Sequence, residues 1–126
     1  MKKLLLTAAF AVPFIFNAQL MSEDFESYSD GDTLSVVGVA NGWGEWNGGT
    51  GTPESCTVSS MYATSGANSG KSMEPNDGLW TWPDISSGSV NVSMKLYVPV
   101  GGAGGYIGLG DSEMTDQPHS INLLGD

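Results

Sequence analysis

The sequence predicts an all-β protein, an antiparallel β-sandwich or jelly roll preceded by an N-terminal signal-peptide helix, and three observations carry the prediction. Residues 89–98 alternate apolar and polar without a break. Glycine supplies 18 of the 126 residues. Beyond the N-terminus, strand and turn signals recur roughly every eight to twelve residues, the spacing of sandwich folds, with no convincing helical periodicity.

The N-terminus sets the compartment. Lys2 and Lys3 precede an apolar run over residues 4–16, and Asn17-Ala18-Gln19 offers a cleavage point after Ala18. That three-part layout is a secretory signal peptide over residues 1–18, which leaves a mature domain over residues 19–126. The apolar run is too short to span a membrane, which takes about 20 apolar residues. The expected location is therefore secreted, extracellular or on the cell surface.

Charge narrows the partners. Two of the four lysines belong to the signal, and the chain has no arginine, so Lys71 and Lys95 face 14 carboxylates. A surface near −12 repels phosphate backbones and anionic headgroups, which excludes nucleic acid. It suits calcium, neutral sugars or basic partners. Cys56 is alone, so no disulfide framework is expected, and the thiol reads as a small apolar group facing a core.

Strands are expected over residues 33–39, 56–62 and 79–82, each set off by turn-forming sequence. Over residues 89–98, Val90, Val92, Met94, Leu96 and Val98 share one face and Ser89, Asn91, Ser93, Lys95 and Tyr97 the other. This is the pattern of a strand with one buried face, so Val90 and Val92 are expected to point into a core. Pro99 ends it. The glycines at 101–105 should turn the chain into an antiparallel neighbour over residues 106–109, and residues 119–124 read as one more strand.

These pieces, in order, resemble the concanavalin A-like, LamG-type jelly-roll domains of secreted and cell-surface bacterial proteins. The matching segments are Asp24-Phe25-Glu26-Ser27-Tyr28 with Gly31-Asp32, Gly42-Trp43-Gly44-Glu45-Trp46, Ser65-Gly66-Ala67-Asn68-Ser69, Ser87-Gly88, and Leu96-Tyr97-Val98-Pro99 followed by glycines and Tyr106. The resemblance covers about residues 24–110. It implies two curved antiparallel sheets, in many members a calcium ion, and a concave face that binds sugar or protein. It departs at Ser55-Cys56, where the family carries an acidic residue and then a small apolar one. Such domains run to about 150–200 residues, so the sequence reads as a C-terminally truncated domain.

Candidate sites follow from residue chemistry. Hard cations take six to eight oxygens, and a Ser-Asp-Gly-Asp turn can present several, so Glu26, Asp30 and Asp32 are the candidate calcium ligands. The plainer alternative is a solvated acidic turn with Asp30 as its cap. Trp43 and Trp46, separated by Gly44-Glu45, could form a platform for pyranose rings, and Tyr97 beside Lys95 is a comparable ligand-binding candidate. Trp80 and Trp82 share a strand face, which argues for core. The stretch 65–72 imitates a phosphate-binding loop, but Ser65 replaces the required first glycine and Pro75 halts the following helix. No alternating carboxylate strand of a glucanase is present, and His119 has no second histidine for zinc.

The expected function is a non-catalytic secreted or cell-surface binding or adhesion domain for polysaccharide or another surface glycan or protein, with calcium as the candidate cofactor. Two alternatives stand beside it: an accessory fragment of a secreted glycan-active or proteolytic enzyme, and a structural spacer without ligand.

Overall fold

The computed structural model describes residues 19–85, 87–101, 105–110 and 119–123. The signal segment 1–18 lies outside them. Helix is confined to α1 (Leu34–Val37) and a 3₁₀ turn at Val39–Asn41. The strands are β1 (Trp43–Glu45), β2 (Thr57–Ser59), β3 (Ser69–Lys71), β4 (Gly78–Trp80), β5 (Gly105–Leu109) and β6 (His119–Leu123). They pair antiparallel as β1–β4, β2–β3 and β5–β6, three two-stranded sheets. The architecture is strand and coil in small antiparallel sheets, with little helix. None of the helices among the described residues is long and apolar enough to cross a membrane.

The core is small and local. Tyr28, Leu34 and Val58 form its centre, with Phe25, Trp43 and Cys56 packed against them. The expected inward-facing Cys56 is thus half-buried at the core's edge. Irregular backbone extends β2 on its free side. Gly31 N–H donates to the Val58 carbonyl at 3.0 Å, Val58 N–H to Asp32 at 2.8 Å, and Leu34 N–H to Cys56 at 2.9 Å. Phe25 sits in the left-handed region at φ 64°, strained for a bulky residue. Its ring lies over Gly70, where an added Cβ would come within 2.7 Å of Cζ. Packing the ring there requires a residue with no side chain on β3.

Two expectations over the strands need correction. Residues 33–39 are not a strand. Thr33 is extended and bridges Thr57, and the chain then turns helical, Gly38 N–H reaching the Leu34 carbonyl at 2.8 Å. The β-branched valines favour a strand, but burial decides otherwise: Leu34 and Ser35 go inside at 1% exposure while Val36, Val37 and Val39 stay outside. Tertiary contact overrides local preference.

Residues 89–98 form no strand either. Val90 is 45% exposed and Val92 38%, with Met94 and Leu96 also in solvent. Alternation supplies an apolar face, but a strand also needs neighbouring N–H and C=O groups, and no ladder reaches this segment among the described residues. The strand 105–109 pairs instead with β6, setting Ile107 opposite Ile121. The expected strands at 56–62 and 79–82 exist in shorter form as β2 and β4.

Candidate functional site

Four aromatic rings organise one end of the β1–β4 sheet. The register sets Trp43 opposite Trp80, and their rings stack with centroids 5.7 Å apart and planes 13° from parallel. Phe25 tilts against Trp43 at 5.7 Å, and Trp82 tilts against Trp80 at 6.2 Å. The tight β1–β4 crossing depends on Gly42, at φ +91°, where a Cβ would collide with the Thr81 carbonyl.

Glu23 ties this stack to the core. Its Oε1 accepts the Phe25 N–H at 2.8 Å, and its Oε2 accepts the Tyr28 hydroxyl and the Trp43 indole N–H, both at 3.0 Å. Asn41 donates its side-chain amide to the Tyr28 oxygen at 2.6 Å. Burial raises the Tyr28 phenol above its ordinary value; the Asn41 hydrogen bond opposes the rise and Glu23 adds to it.

Beside this network lies an open cleft of about 640 Å³, lined among others by Ser22, Glu23, Asp24, Asn41, Thr81 and Trp82. An aromatic ring, hydroxyls, an amide and two carboxylates on one concave surface make it a candidate saccharide site.

A second carboxylate hub sits at the far end of β1. Glu45 is 2% exposed and accepts the Ser35 hydroxyl, the Thr52 hydroxyl and, at 3.0 Å, the Thr52 N–H. Ser35 Oγ in turn accepts the Gly51 N–H at 2.8 Å. Burial raises the Glu45 carboxyl, but the hydrogen bonds from Ser35, Thr52 and the loop backbone outweigh it and hold it below the ordinary glutamate range. Glu45 therefore folds the glycine-rich loop 47–52 around itself. It also lines a smaller groove of about 400 Å³ with Asn47, Thr52 and Glu54.

The sugar candidates named from the sequence separate. Trp43 is half-buried, its indole N–H is bonded to Glu23, and its ring contacts both Phe25 and Trp80. It belongs to the packed stack. Trp46 is 39% exposed and stays outside that stack. Lys95 is exposed, and Tyr97 stacks on Tyr62 with centroids 4.4 Å apart. Trp82, read from the sequence as core, lines the cleft.

The three calcium candidates also point to different partners. Glu26 accepts the Ala67 N–H at 3.0 Å and the Asn68 N–H at 2.8 Å. Asp30 accepts the Ser60 N–H at 2.8 Å, and Asp32 the Ser29 N–H at 2.8 Å. Among the described residues, no three metal-ligating side chains gather. His119 falls in β6, and Glu113 and Asp116 lie outside the described residues.

The hub roles of Glu23, Asn41 and Glu45 have only positional signals in the sequence: Asn41 and Glu45 lie within two residues of Trp43 in a stretch rich in glycine, and Glu23 opens an acidic stretch. Comparison with protein-family models, with curated proteins and with solved structures gave no match.

Proposed function

We propose that this chain is an exported, non-catalytic binding domain of the concanavalin A-like sandwich class that takes carbohydrate in the cleft beside Trp82. The observation that carries the reading is the cleft itself, where a tryptophan ring meets hydroxyl, amide and carboxylate groups on one concave wall. Saccharides are recognised by that combination, a stacking face for C–H groups and polar partners for the hydroxyls. The support comes from this cleft and not from a buried strand at 89–98. The non-catalytic reading draws on the carboxylates themselves, since Glu23, Glu26 and Glu45 each hold neighbouring loops in place.

The spacer reading draws on the same clasps, which need no ligand to explain them. A glycan array probed with the protein, with and without a chelator, separates the two. Binding to a defined set of glycans that Trp82→Ala abolishes is the expected result. Binding to no glycan would leave the spacer. Calcium assistance would draw on Glu26, Asp30 and Asp32, which hold separate backbone groups. A thermal-shift series in millimolar calcium tests it, and an unchanged Tm removes it.

A further inference from the structure

Resting on the carbohydrate reading, we infer that the cleft selects saccharides with a free amine, of the glucosamine type, over neutral and acidic ones. Both Glu23 and Asp24 line it, and neither lysine of the mature chain does. Glu23 is anchored by three donors, the Phe25 N–H, the Tyr28 hydroxyl and the Trp43 indole. Its charge therefore sits in a fixed place before any ligand arrives, which lowers the ordering cost of binding. Asp24 gives one oxygen, Oδ1, to the Glu26 N–H at 3.0 Å, and among the described residues no donor meets the other.

An acidic sugar entering this cleft meets two like charges on a strongly anionic protein. A neutral sugar finds Ser22, Asn41 and Thr81 for its hydroxyls and the Trp82 ring for its C–H face. An amino sugar finds the same partners, and its ammonium gains the open oxygen of Asp24 and the nearby carboxylate of Glu23 as well. Each of those two contacts is modest at a solvent-exposed site, and together they are worth about tenfold in affinity.

Calorimetric titration of the protein at pH 6 and low salt tests this with four-residue oligosaccharides of glucosamine, N-acetylglucosamine, glucose and galacturonic acid. The glucosamine oligomer is expected to bind about tenfold tighter than the glucose or N-acetylated oligomer, and the galacturonate oligomer weakest of all. That advantage shrinks in high salt. Asp24→Asn keeps the acceptor for the Glu26 N–H and is expected to erase most of the advantage, while Trp82→Ala weakens all four. Glu74→Gln, exposed and outside the cleft, leaves the affinities unchanged. Equal affinity for glucosamine and glucose oligomers, or an equal loss in Glu74→Gln and Asp24→Asn, would overturn the amine selectivity while leaving carbohydrate binding intact. Binding to none of the four overturns the carbohydrate reading and this inference with it.

Discussion

Residues 23–82 carry nine carboxylates and residues 87–101 none, and the two regions hold their backbone in different ways. In the first region, side-chain oxygens of Glu23, Glu26, Asp30 and Glu45 each capture donors across a loop, and a few apolar residues close over Leu34 and Val58. In the second, five apolar residues alternate on one face, yet Val90, Val92, Met94 and Leu96 all remain more than a third exposed. The one described aromatic contact of that segment is Tyr97 on Tyr62. Alternation is therefore insufficient for a strand. Order here follows where polar side chains satisfy backbone donors, because a buried or crowded N–H without a partner is costly.

The sharpest break in the comparison is expected at the core. Leu34→Ala should cost about 2–4 kcal/mol in urea unfolding, since a fully buried leucine leaves both lost transfer energy and a cavity. Val92→Ser should stay within about 0.5 kcal/mol, as an exposed substitution does. A loss at Val92 as large as at Leu34 would mean that 89–98 is buried after all. Gly42→Ala comes next, at about 2 kcal/mol or more, because its backbone is left-handed and its Cβ would strike the Thr81 carbonyl.

One clasp, Glu45, carries a pH response. Glu45 is held below its ordinary value when folded, so the unfolded chain takes up that proton first. Its contribution is present above about pH 4.3, the ordinary glutamate value, and is lost as pH falls through the lower folded value. Glu45→Gln should thus lower Tm at pH 7 more than at pH 3.5, and a gap that does not narrow contradicts the assignment. Glu26→Gln is a smaller effect, about 1 kcal/mol, from the weakened clasp on Ala67 and Asn68. Smallest is Cys56, whose thiol is raised by burial against the opposing hydrogen bonds from Ser72 and Gly78. It should react with a disulfide reagent at pH 8 more slowly than a free thiol, and at the free rate in urea.

Parts of this were legible in the residues. Val58 as an inward position, the aromatic strand at 79–82 and the strand at 119–123 follow from period-two patterning and turn chemistry. The helix at Leu34–Val37 did not, because its valines favour extended backbone and only the burial of Leu34 and the Ser35–Glu45 bond reverse that preference. The sequence offers Trp43 as a platform and reads Trp82 as core, whereas the structure packs Trp43 into the aromatic stack and sets Trp82 along the cleft. Trp43 and Trp82 are chemically identical in sequence, and only the β1–β4 register shows that one is stacked inside while the other borders the cleft. Carboxylates that hold backbone N–H groups carry the same local pattern as carboxylates that hold a cation, so spacing alone does not separate the two roles at Glu26, Asp30 and Asp32.

The four indole N–H signals offer the most direct test of the cleft. In a proton–nitrogen correlation spectrum, added glucosamine oligosaccharide should move the Trp82 signal and, through Glu23, that of Trp43, and leave that of Trp46 near its starting position. Movement of Trp46 with Trp82 unchanged would place the ligand elsewhere and contradict the account.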